Sequence, residues 1–462
     1  MTCSRGTAGT RAGIAVVAGL TTVALSAVAA PAAALAGPAG TPRSPVPMAA
    51  PPAAAMSPAM PGPAAAAAAD PGPPGPAEGL RRTGGCSPPG PDGPGAAGPA
   101  ALPRSDLATG GGQLVAVVDT GVAPVPRLAD RLRGGGDYLT GGDGLDDCDG
   151  HGSAVALLLA GAADPATGTG AGVAPDAEVV ALRQSSARFA VRGPDGAERP
   201  AGEIRTLAAA ISRAVTLGAG VINVSEVVCV PADRVEELGR PVADAVAAAE
   251  AAGVLVVAAA GNVDPAGTCT GEPELRPLPA SYDGVVAVGA TDAAGRPAPF
   301  SVPGPWVDLA APGVDLPAPA GPEGAVVSGT SYAAPLVAGT AALLRERFPM
   351  LTPGQVADRL RATARHPASG RDDRVGAGVL DPVAALTAEP LLLTPVPDAR
   401  PAAGIAAGPR TGSGDAAPAR HPLPAPGTEP RDLPVVAGAG AVAAVSGATA
   451  ALLAGLRRRP AR

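Results

Sequence analysis

The sequence Ser-Gly-Thr-Ser-Tyr-Ala-Ala-Pro occupies residues 328–335 and leads directly into an apolar run, Leu336–Leu344. A run of small and apolar residues predicts a buried helix, and Gly329 allows a tight backbone turn before it. The hydroxyl of Ser331 is then expected at a helix N-terminus, facing free backbone N–H groups and the positive end of the helix dipole. Pro335 fits if it lies in the first turn, where its missing N–H has no intrahelical acceptor to lose. Taken alone, the stretch is typical of a plain capped helix, so its meaning depends on residues upstream.

A serine hydroxyl acts as a nucleophile at neutral pH only beside a base, and that base needs an orienting acid. The sequence has three histidines and no lysine, which excludes a Ser-Lys pair. His366 and His421 lie in an Arg-rich and a Pro-rich segment, whereas His151 stands in Asp-Gly-His-Gly-Ser before the apolar run Ala154–Ala160. That pattern again predicts a loop opening into a buried helix, which makes His151 the candidate base.

Asp119 is the candidate acid, because it ends the strand-like run Leu114–Val118 and is followed by Thr-Gly. In an open parallel sheet, sites form in the loops that follow the carboxyl ends of the strands. Asp-Thr-Gly also suggests an aspartic protease, whose chemistry needs a second such carboxylate. The chain has no second Asp-Thr-Gly, so only a homodimer would supply it.

The chain order Asp119, His151, Ser331 resembles that of the subtilisin-like serine proteases. The strings that carry the resemblance are Val-Val-Asp-Thr-Gly, Gly-His-Gly and Gly-Thr-Ser-Tyr-Ala-Ala-Pro around these three residues. The resemblance implies an Asp/His/Ser catalytic triad. It also implies a three-layer α/β fold, with a mainly parallel sheet covered by helices on both faces.

Two further segments extend the resemblance over most of residues 105–385. Ala258–Asn262 follows an apolar strand and resembles the family's oxyanion segment, with Asn262 as the side-chain donor. Phe300-Ser301 and Val307–Gly313 resemble the strand and turn that precede the family's serine. Neither the motifs nor the composition implies a cofactor or a catalytic metal.

Composition limits how much of the chain can be packed core. Of 462 residues, 64 are Gly and 57 are Pro, and the net charge is −7. Basic residues are scattered except at the C-terminus, so nucleic-acid binding is not expected. Between the strand-like runs lie helical patterns, which argue for a buried parallel sheet. The predicted strands are Glu178–Leu182, Val221–Val224, Val254–Val257 and Val285–Val288, and the predicted helices are Ile204–Leu217, Val242–Ala252 and Gln355–Ala364.

The N-terminus has the pattern of a secretory signal peptide over residues 1–36, with Arg5 and Arg11 before an apolar stretch and Ala-Leu-Ala at its end. Residues 37–104 are rich in Pro, Ala and Gly and predict an irregular extension lying on a peptidase domain at 105–390. A disordered leader over 37–80 is the alternative.

Removal of the signal peptide leaves four cysteines in an oxidising compartment, which allows three pairings. We favour Cys229 with Cys269, which would tie two neighbouring site loops together. The other two, Cys86 and Cys148, would then pin the extension beside the loop that carries His151. Free buried thiols remain the alternative.

An acidic segment precedes His151. Its spacing does not match an EF-hand calcium loop, so a solvated acidic loop is the simpler interpretation, with calcium binding as the alternative. The five carboxylates are Asp137, Asp143, Asp146, Asp147 and Asp149.

The C-terminal part predicts a membrane anchor. Residues 391–432 are a Pro-rich linker, about 40 Å long as a flexible coil and about 130 Å as polyproline II. Residues 433–456 follow without a charge, long enough as a helix to cross a hydrocarbon core of about 30 Å. The tail at 457–462 begins with three arginines, which places the C-terminus in the cytoplasm and the peptidase domain outside the cell membrane. The alternative is an Ala/Gly-rich tail without a membrane role.

The whole layout resembles the mycosins, membrane-anchored subtilisin-like proteases of type VII secretion systems. The resemblance rests on the signal peptide, the extension, Cys148 to Gly152, the segment Ile222–Val227 with Cys229, the linker and the terminal helix. It implies limited cleavage of secreted protein substrates and a place beside the subunits of the secretion complex. A structural role with proteolysis secondary is the alternative.

Two positions depart from the family patterns. Ser153 stands where the mycosins mostly have threonine, which keeps the hydroxyl. Glu226 and Val227, after Ser225, replace two small residues that form a wall of the primary substrate pocket in secreted subtilisins. Broad digestive specificity is therefore not expected.

Overall fold

The computed structural model describes residues 77–87, 107–163, 170–193, 196–263, 269, 274–318 and 325–389, all within the unit Ala65–Arg462. The expected signal peptide, linker, membrane helix and basic tail lie outside these residues, as does most of the extension. Within the described ranges, no helix combines the length and apolar character needed to cross a membrane.

The strands of the described residues are β1 (Leu80–Arg82), β2 (Leu114–Asp119), β3 (Leu132–Asp137), β4 (Glu178–Arg183), β5 (Ser186–Arg192), β6 (Glu198–Ala201), β7 (Val221–Val224), β8 (Val228–Pro231), β9 (Leu255–Ala259), β10 (Leu275–Leu278), β11 (Val285–Thr291), β12 (Val307–Pro312), β13 (Leu316–Pro317) and β14 (Val326–Val327). The helices are α1 (His151–Ala160), α2 (Ile204–Thr216), α3 (Val235–Leu238), α4 (Arg240–Ala251), α5 (Thr330–Arg347), α6 (Pro353–Thr363) and α7 (Pro382–Thr387).

Seven strands form one parallel sheet in the order β12-β11-β9-β7-β2-β4-β3. Side chains alternate between its two faces: Val115 and Val117 of β2 pack in one core with α1 and α5, whereas Ala116 and Val118 pack in a second core with α2 and α4. Both faces exclude water, which explains why the strands read as continuous apolar runs. The expected α/β layers, with a parallel sheet between helices, are confirmed.

Several strands of the described residues were not expected from the sequence, β3 and β1 among them. β3 is half glycine, Leu-Arg-Gly-Gly-Gly-Asp, and so lacks the β-branched and aromatic residues typical of a strand. β1 lies within the extension and pairs antiparallel with β5, which itself pairs with β6. The prediction of an irregular extension is therefore wrong for Leu80–Arg82, where backbone pairing with β5 supplies order that side-chain periodicity does not signal.

Two disulfides join the pairs that the sequence analysis favours. Cys86 is bonded to Cys148, with a Cα–Cα distance of 4.4 Å, and the backbone N–H of Ser87 donates to the Cys148 carbonyl. Cys229, in β8, is bonded to Cys269, with a Cα–Cα distance of 5.4 Å. The first bond fixes the extension to the loop before α1, and the second joins β8 to Cys269, which follows β9 in the chain.

Pro335 occupies the second turn of α5, because the helix begins at Thr330. The expectation that it lies in the first turn is therefore wrong. At this position its missing N–H leaves the carbonyl of Ser331, four residues earlier, without a helical partner. The hydroxyl of Ser225 donates to that carbonyl at 3.0 Å instead, so the helix continues through the proline.

Candidate active site

Polar side chains gather at the carboxyl edge of the parallel sheet. Asp119 is the last residue of β2, Ser225 follows β7 and Asn262 follows β9 by three residues. Parallel strands bring their carboxyl ends to one edge, and α1 and α5 begin at the same edge. The topology thus brings residues distant in sequence into one cleft.

Helix α1 carries His151 as its first residue. The preceding Gly150 adopts φ 76°, a left-handed conformation that side chains rarely take. Gly152 is packed so closely that an added Cβ would lie 2.0 Å from the Gly121 carbonyl oxygen and 3.0 Å from Asp119 Oδ1. The two glycines therefore let the imidazole of His151 approach the end of β2.

Asp119, His151 and Ser331 form a hydrogen-bonded series. His151 Nδ1 lies 2.6 Å from Asp119 Oδ1, and His151 Nε2 lies 2.8 Å from Ser331 Oγ. Asp119 is fully buried and Ser331 is 7% exposed, while the His151 side chain is 24% exposed. In the neutral imidazole, Nδ1–H donates to Asp119 and Nε2 accepts from the serine hydroxyl. This geometry allows proton transfer from Ser331 to His151.

The imidazole of His151 lies in a negative environment. Burial lowers its pKa, but the charge and hydrogen bond of Asp119 raise it, Glu226 and Asp147 raise it further, and the result is about 9. The ring of Tyr332 packs beside it, with the ring centroids 5.0 Å apart and the planes tilted by 53°. Burial, followed by the charges of Asp119, Asp147 and Glu226, raises the pKa of Tyr332 to about 12, so its phenol stays neutral.

Asn262 is held with its amide nitrogen free to donate. Its Oδ1 accepts hydrogen bonds from the backbone N–H and the hydroxyl of Thr330, both at 3.0 Å. The same Thr330 hydroxyl accepts from the Gly261 N–H at 3.2 Å. A Cβ built on Gly329 would lie 3.0 Å from Ser331 Oγ and 3.5 Å from Asn262 Nδ2, so both atoms border one space. An anionic oxygen in that space would meet the Asn262 amide and the N–H of Ser331, which has no acceptor inside its own helix.

A second series of hydrogen bonds, from Asn223 through Ser225, holds the backbone of Ser331. The amide of Asn223, buried within β7, donates to Ser225 Oγ at 2.8 Å, and Ser225 Oγ donates to the Ser331 carbonyl at 3.0 Å. The position of the serine backbone is therefore tied to the wall of the cleft.

The acidic segment before α1 is partly structural, and its interpretation as a solvated loop is wrong at two positions. Asp137 is 1% exposed and Asp147 is 2% exposed. Asp147 accepts hydrogen bonds from the Thr120 hydroxyl, from the N–H groups of Asp149, Gly150 and Ser153, and from the Ser153 hydroxyl, at distances of 2.7–3.2 Å. Burial raises the pKa of Asp147, while its bonds with Ser153 oppose that rise.

The cleft has a volume of about 280 Å³. His151, Ser331 and Asn262 line it on one side, and Ser225, Glu226 and Val227 on another, which gives the three predicted pocket residues a place beside the serine. One side-chain nitrogen or oxygen atom of each of Asp119, His151 and Glu226 lies within 4.8 Å of the other two, a grouping that was not anticipated. Cys269 also lines the cleft.

Four supporting residues were missed in the sequence. Asn223 is a polar residue inside an apolar strand, and this was a readable signal. No sequence pattern marked Thr120, Asp147 and Thr330 as functional, because each acts through hydrogen bonds with residues distant in sequence. Their position next to candidate residues was the available clue.

Three comparisons place the chain among known proteins. Residues 110–378 match the Subtilase family. Mycosin-4 of Mycobacterium tuberculosis is 40% identical over 384 residues, with 77% of this chain and 80% of the relative covered. The structure of the MycP3 protease from the type VII (ESX-3) secretion system is 39% identical with a TM-score of 0.58, covering 68% of this chain and 96% of that one. A chain in the periplasmic assembly from the ESX-5 inner membrane complex is 35% identical with a TM-score of 0.58, covering 76% of this chain and 97% of that one.

Proposed function

The chain belongs to the Subtilase family, and within it to the mycosins, and from this premise we propose that it is a membrane-anchored endopeptidase that cleaves a restricted set of secreted proteins. Its membership makes it a serine protease associated with type VII secretion. The proposal adds the residues that perform the reaction, the class of substrate and the anchor.

The observation that carries the proposal is the series from Asp119 through His151 to Ser331, with contacts of 2.6 and 2.8 Å. Ser331 Oγ attacks the peptide carbonyl carbon while His151 Nε2 takes its proton. Asp119 accepts from Nδ1–H throughout and stabilises the imidazolium that forms. The tetrahedral intermediate collapses to an acyl-enzyme as His151 returns the proton to the leaving amine, and a water activated by the same imidazole releases the acid.

Negative charge on the former carbonyl oxygen would be met by Asn262 Nδ2 and the Ser331 N–H. The Asn262 amide is preorganised because Thr330 occupies its oxygen twice. Removal of one such donor lowers kcat by about 10²- to 10³-fold. The Asn262→Ala enzyme should therefore show a kcat lowered by this factor, with little change in KM.

Restricted cleavage is supported by the wall of the cleft. Glu226 and Val227 place larger side chains beside Ser331 than the small residues expected from secreted subtilisins. A narrowed and charged pocket favours substrates that fit it, and specificity follows from the contacts that other substrates cannot make.

A place beside a secretion complex is supported by relatives. One similar structure is of a protease from the type VII (ESX-3) secretion system, and another is of the periplasmic assembly from the ESX-5 inner membrane complex. We extend that setting to this chain: a peptidase domain outside the cell membrane, tethered by residues 433–456, with the tail in the cytoplasm.

The test of the catalytic assignment is labelling with a fluorophosphonate. Ser331→Ala should abolish labelling and lower kcat by about 10⁶-fold, as expected for loss of the nucleophile of such a triad. Ser328→Ala is the matched control, because Ser328 is an exposed serine of the same loop whose hydroxyl, among the described residues, bonds to Asp315 and not to the proposed catalytic residues. Labelling of the Ser331→Ala protein would refute the assignment.

Comparison of culture filtrates from cells carrying the parent chain and the Ser331→Ala variant would identify substrates. Few changed proteins are expected. Wholesale changes across secreted proteins would contradict restricted cleavage.

The second candidate function is a structural role in the secretion complex, favoured by the ESX-5 assembly that contains a 35% identical chain. If export continues in the Ser331→Ala cells but stops when the gene is deleted, the structural role is separate from proteolysis. The aspartic protease alternative is overturned by membership of the Subtilase family.

A further inference from the structure

Glu226 is a half-buried carboxylate in the loop between β7 and β8, directly after Ser225. It lines the cleft together with His151 and Ser331. One of its carboxylate oxygens lies within 4.8 Å of a ring nitrogen of His151 and of an oxygen of Asp119. The imidazole of His151 therefore has two carboxylates close to it, of which only Asp119 bonds to it directly.

The groups around Glu226 are mostly negative. Burial and then the charge of Asp119 raise its pKa, His151 and a side-chain hydrogen bond with Ser185 lower it, Asp149 raises it, and the result is about 7. Asp147, in the loop before α1, and Tyr332, on α5, complete the titratable surroundings of the imidazole. In the part of the chain that the structure describes, no arginine pairs with Glu226, so His151 is the cation that balances it.

The two ring nitrogens of His151 are already occupied, Nδ1 by Asp119 and Nε2 by Ser331. Glu226 thus acts on the ring through its charge. A carboxylate within roughly 4 to 6 Å of an imidazole stabilises the imidazolium, typically by one to three pH units. The partly buried setting screens this interaction less than open water would.

We propose that Glu226 is a positioning residue that acts through His151: its carboxylate, within 4.8 Å of the ring, stabilises the protonated imidazole and so sets the pH at which proteolysis begins. The inference rests on the proposed function, since the imidazole must lose its proton before it can accept one from Ser331.

The direct test follows the ring of His151 by NMR. The chain has only three histidines, so ¹⁵N-labelled imidazoles of the intact protein give few signals, and His366→Gln removes one of them for assignment. The titration uses the Ser331→Ala background, which prevents self-cleavage. It also includes EDTA, which removes divalent cations from the sample.

Glu226→Gln preserves the size of the side chain and removes its charge. The pKa of the His151 ring should fall from about 9 by about one to three pH units. Glu226→Asp keeps the charge and should retain most of the elevation, so a fall in the Gln variant alone identifies charge as the cause. Glu236→Gln, which removes an exposed charge on α3, is the matched control and should leave the ring unchanged. An unchanged His151 titration in Glu226→Gln overturns the inference.

The kinetic test uses enzyme with Ser331 intact. The acidic limb of kcat/KM for a peptide substrate should move to lower pH in Glu226→Gln by the same amount as the ring pKa, so that hydrolysis at pH 7 rises by about tenfold or more. A variant that hydrolyses the peptide with the parent's acidic limb overturns the inference and leaves the proposed function standing. Absence of both hydrolysis and fluorophosphonate labelling at every pH overturns the proposed function, while the NMR titration still decides the inference.

Discussion

Asp147 and Glu226 both lie near His151, but the molecule holds these two carboxylates in opposite ways. Asp147 is nearly sealed from solvent and accepts five hydrogen bonds from Thr120 and from the backbone and side chains that begin α1. Glu226 lines the open cleft, with an imidazole as its balancing cation.

This difference suggests a structural role for Asp147 and an electrostatic role for Glu226. A buried charge with all its hydrogen bonds fixes the groups around it, and removing it leaves several donors unpaired. A carboxylate that lines an open cleft contributes less to rigidity, but its charge acts on any titratable neighbour. We therefore expect substitutions at Asp147 to affect folding and substitutions at Glu226 to affect the pH dependence of activity.

The largest effect is expected for Asp147→Ala. It leaves the Thr120 and Ser153 hydroxyls and the Gly150 N–H without their acceptor in a buried place, which should lower the free energy of unfolding by about 3 to 5 kcal/mol. Urea denaturation of the intact protein measures this. Asp143→Ala, in an exposed part of the same loop, should cost less than about 1 kcal/mol. Equal losses in the two variants would show that the Asp147 bonds are not what stabilises this region.

The two disulfides allow a similar comparison between a bond that only stabilises the fold and one that also borders the cleft. Cys86 and Cys148 are separated by 62 residues, and replacing both by serine should lower the free energy of unfolding by about 2 to 4 kcal/mol. The pair Cys229 and Cys269 should have a similar effect on unfolding and, because Cys269 lines the cleft, should also raise KM. Denaturation curves measure the loss of stability in each double variant, and peptide kinetics measure KM. A raised KM in both variants would contradict the prediction that only the Cys229–Cys269 bond affects substrate binding.

A smaller effect is expected for Ser225→Ala. The Ser331 carbonyl then has no donor, because Pro335 lacks the N–H that would otherwise bond to it, and a buried unpaired carbonyl costs about 1 to 3 kcal/mol. We expect kcat to fall by about tenfold as the serine backbone shifts. Adding Pro335→Ala supplies the missing helical donor and should restore part of the loss. If the double variant recovers neither stability nor kcat relative to Ser225→Ala, the Ser225 hydroxyl does not act by bonding to the Ser331 carbonyl.

The last prediction, for Glu226→Gln, concerns how stability depends on pH. The folded-state pKa of Glu226, about 7, lies above its ordinary value of 4.5, so its stabilising contribution is present at low pH and declines as pH rises through 7. The parent protein should therefore lose stability relative to the variant between about pH 4.5 and 7. Urea midpoints measured across that range test the sign, and a growing advantage for the parent would contradict it.

The sheet and the positions of the proposed catalytic residues were predictable because they depend on local patterns. β7 runs over Val221–Val224 as expected, and the predicted helix Ile204–Leu217 differs from α2 by one residue. The glycine-rich β3 and the short β1 were not predictable, since their order comes from pairing with β4 and β5.

The candidate site divides in the same way. Short local motifs mark Asp119, His151, Ser331 and Asn262, and each motif can be recognised on its own. The bonds of Asp147 and the proximity of Glu226 to the imidazole arise only when distant loops meet at the sheet edge. Nothing in the acidic segment distinguishes the buried Asp147 from the exposed Asp143 before the chain is folded.

The bond between Cys86 and Cys148 has a consequence for maturation. A cut anywhere in residues 88–106 would divide the polypeptide, yet the N-terminal fragment would remain covalently attached beside His151. Such a two-chain enzyme migrates as one species on a non-reducing gel and as two after reduction. Clipping there changes the termini of the protein without releasing anything from it.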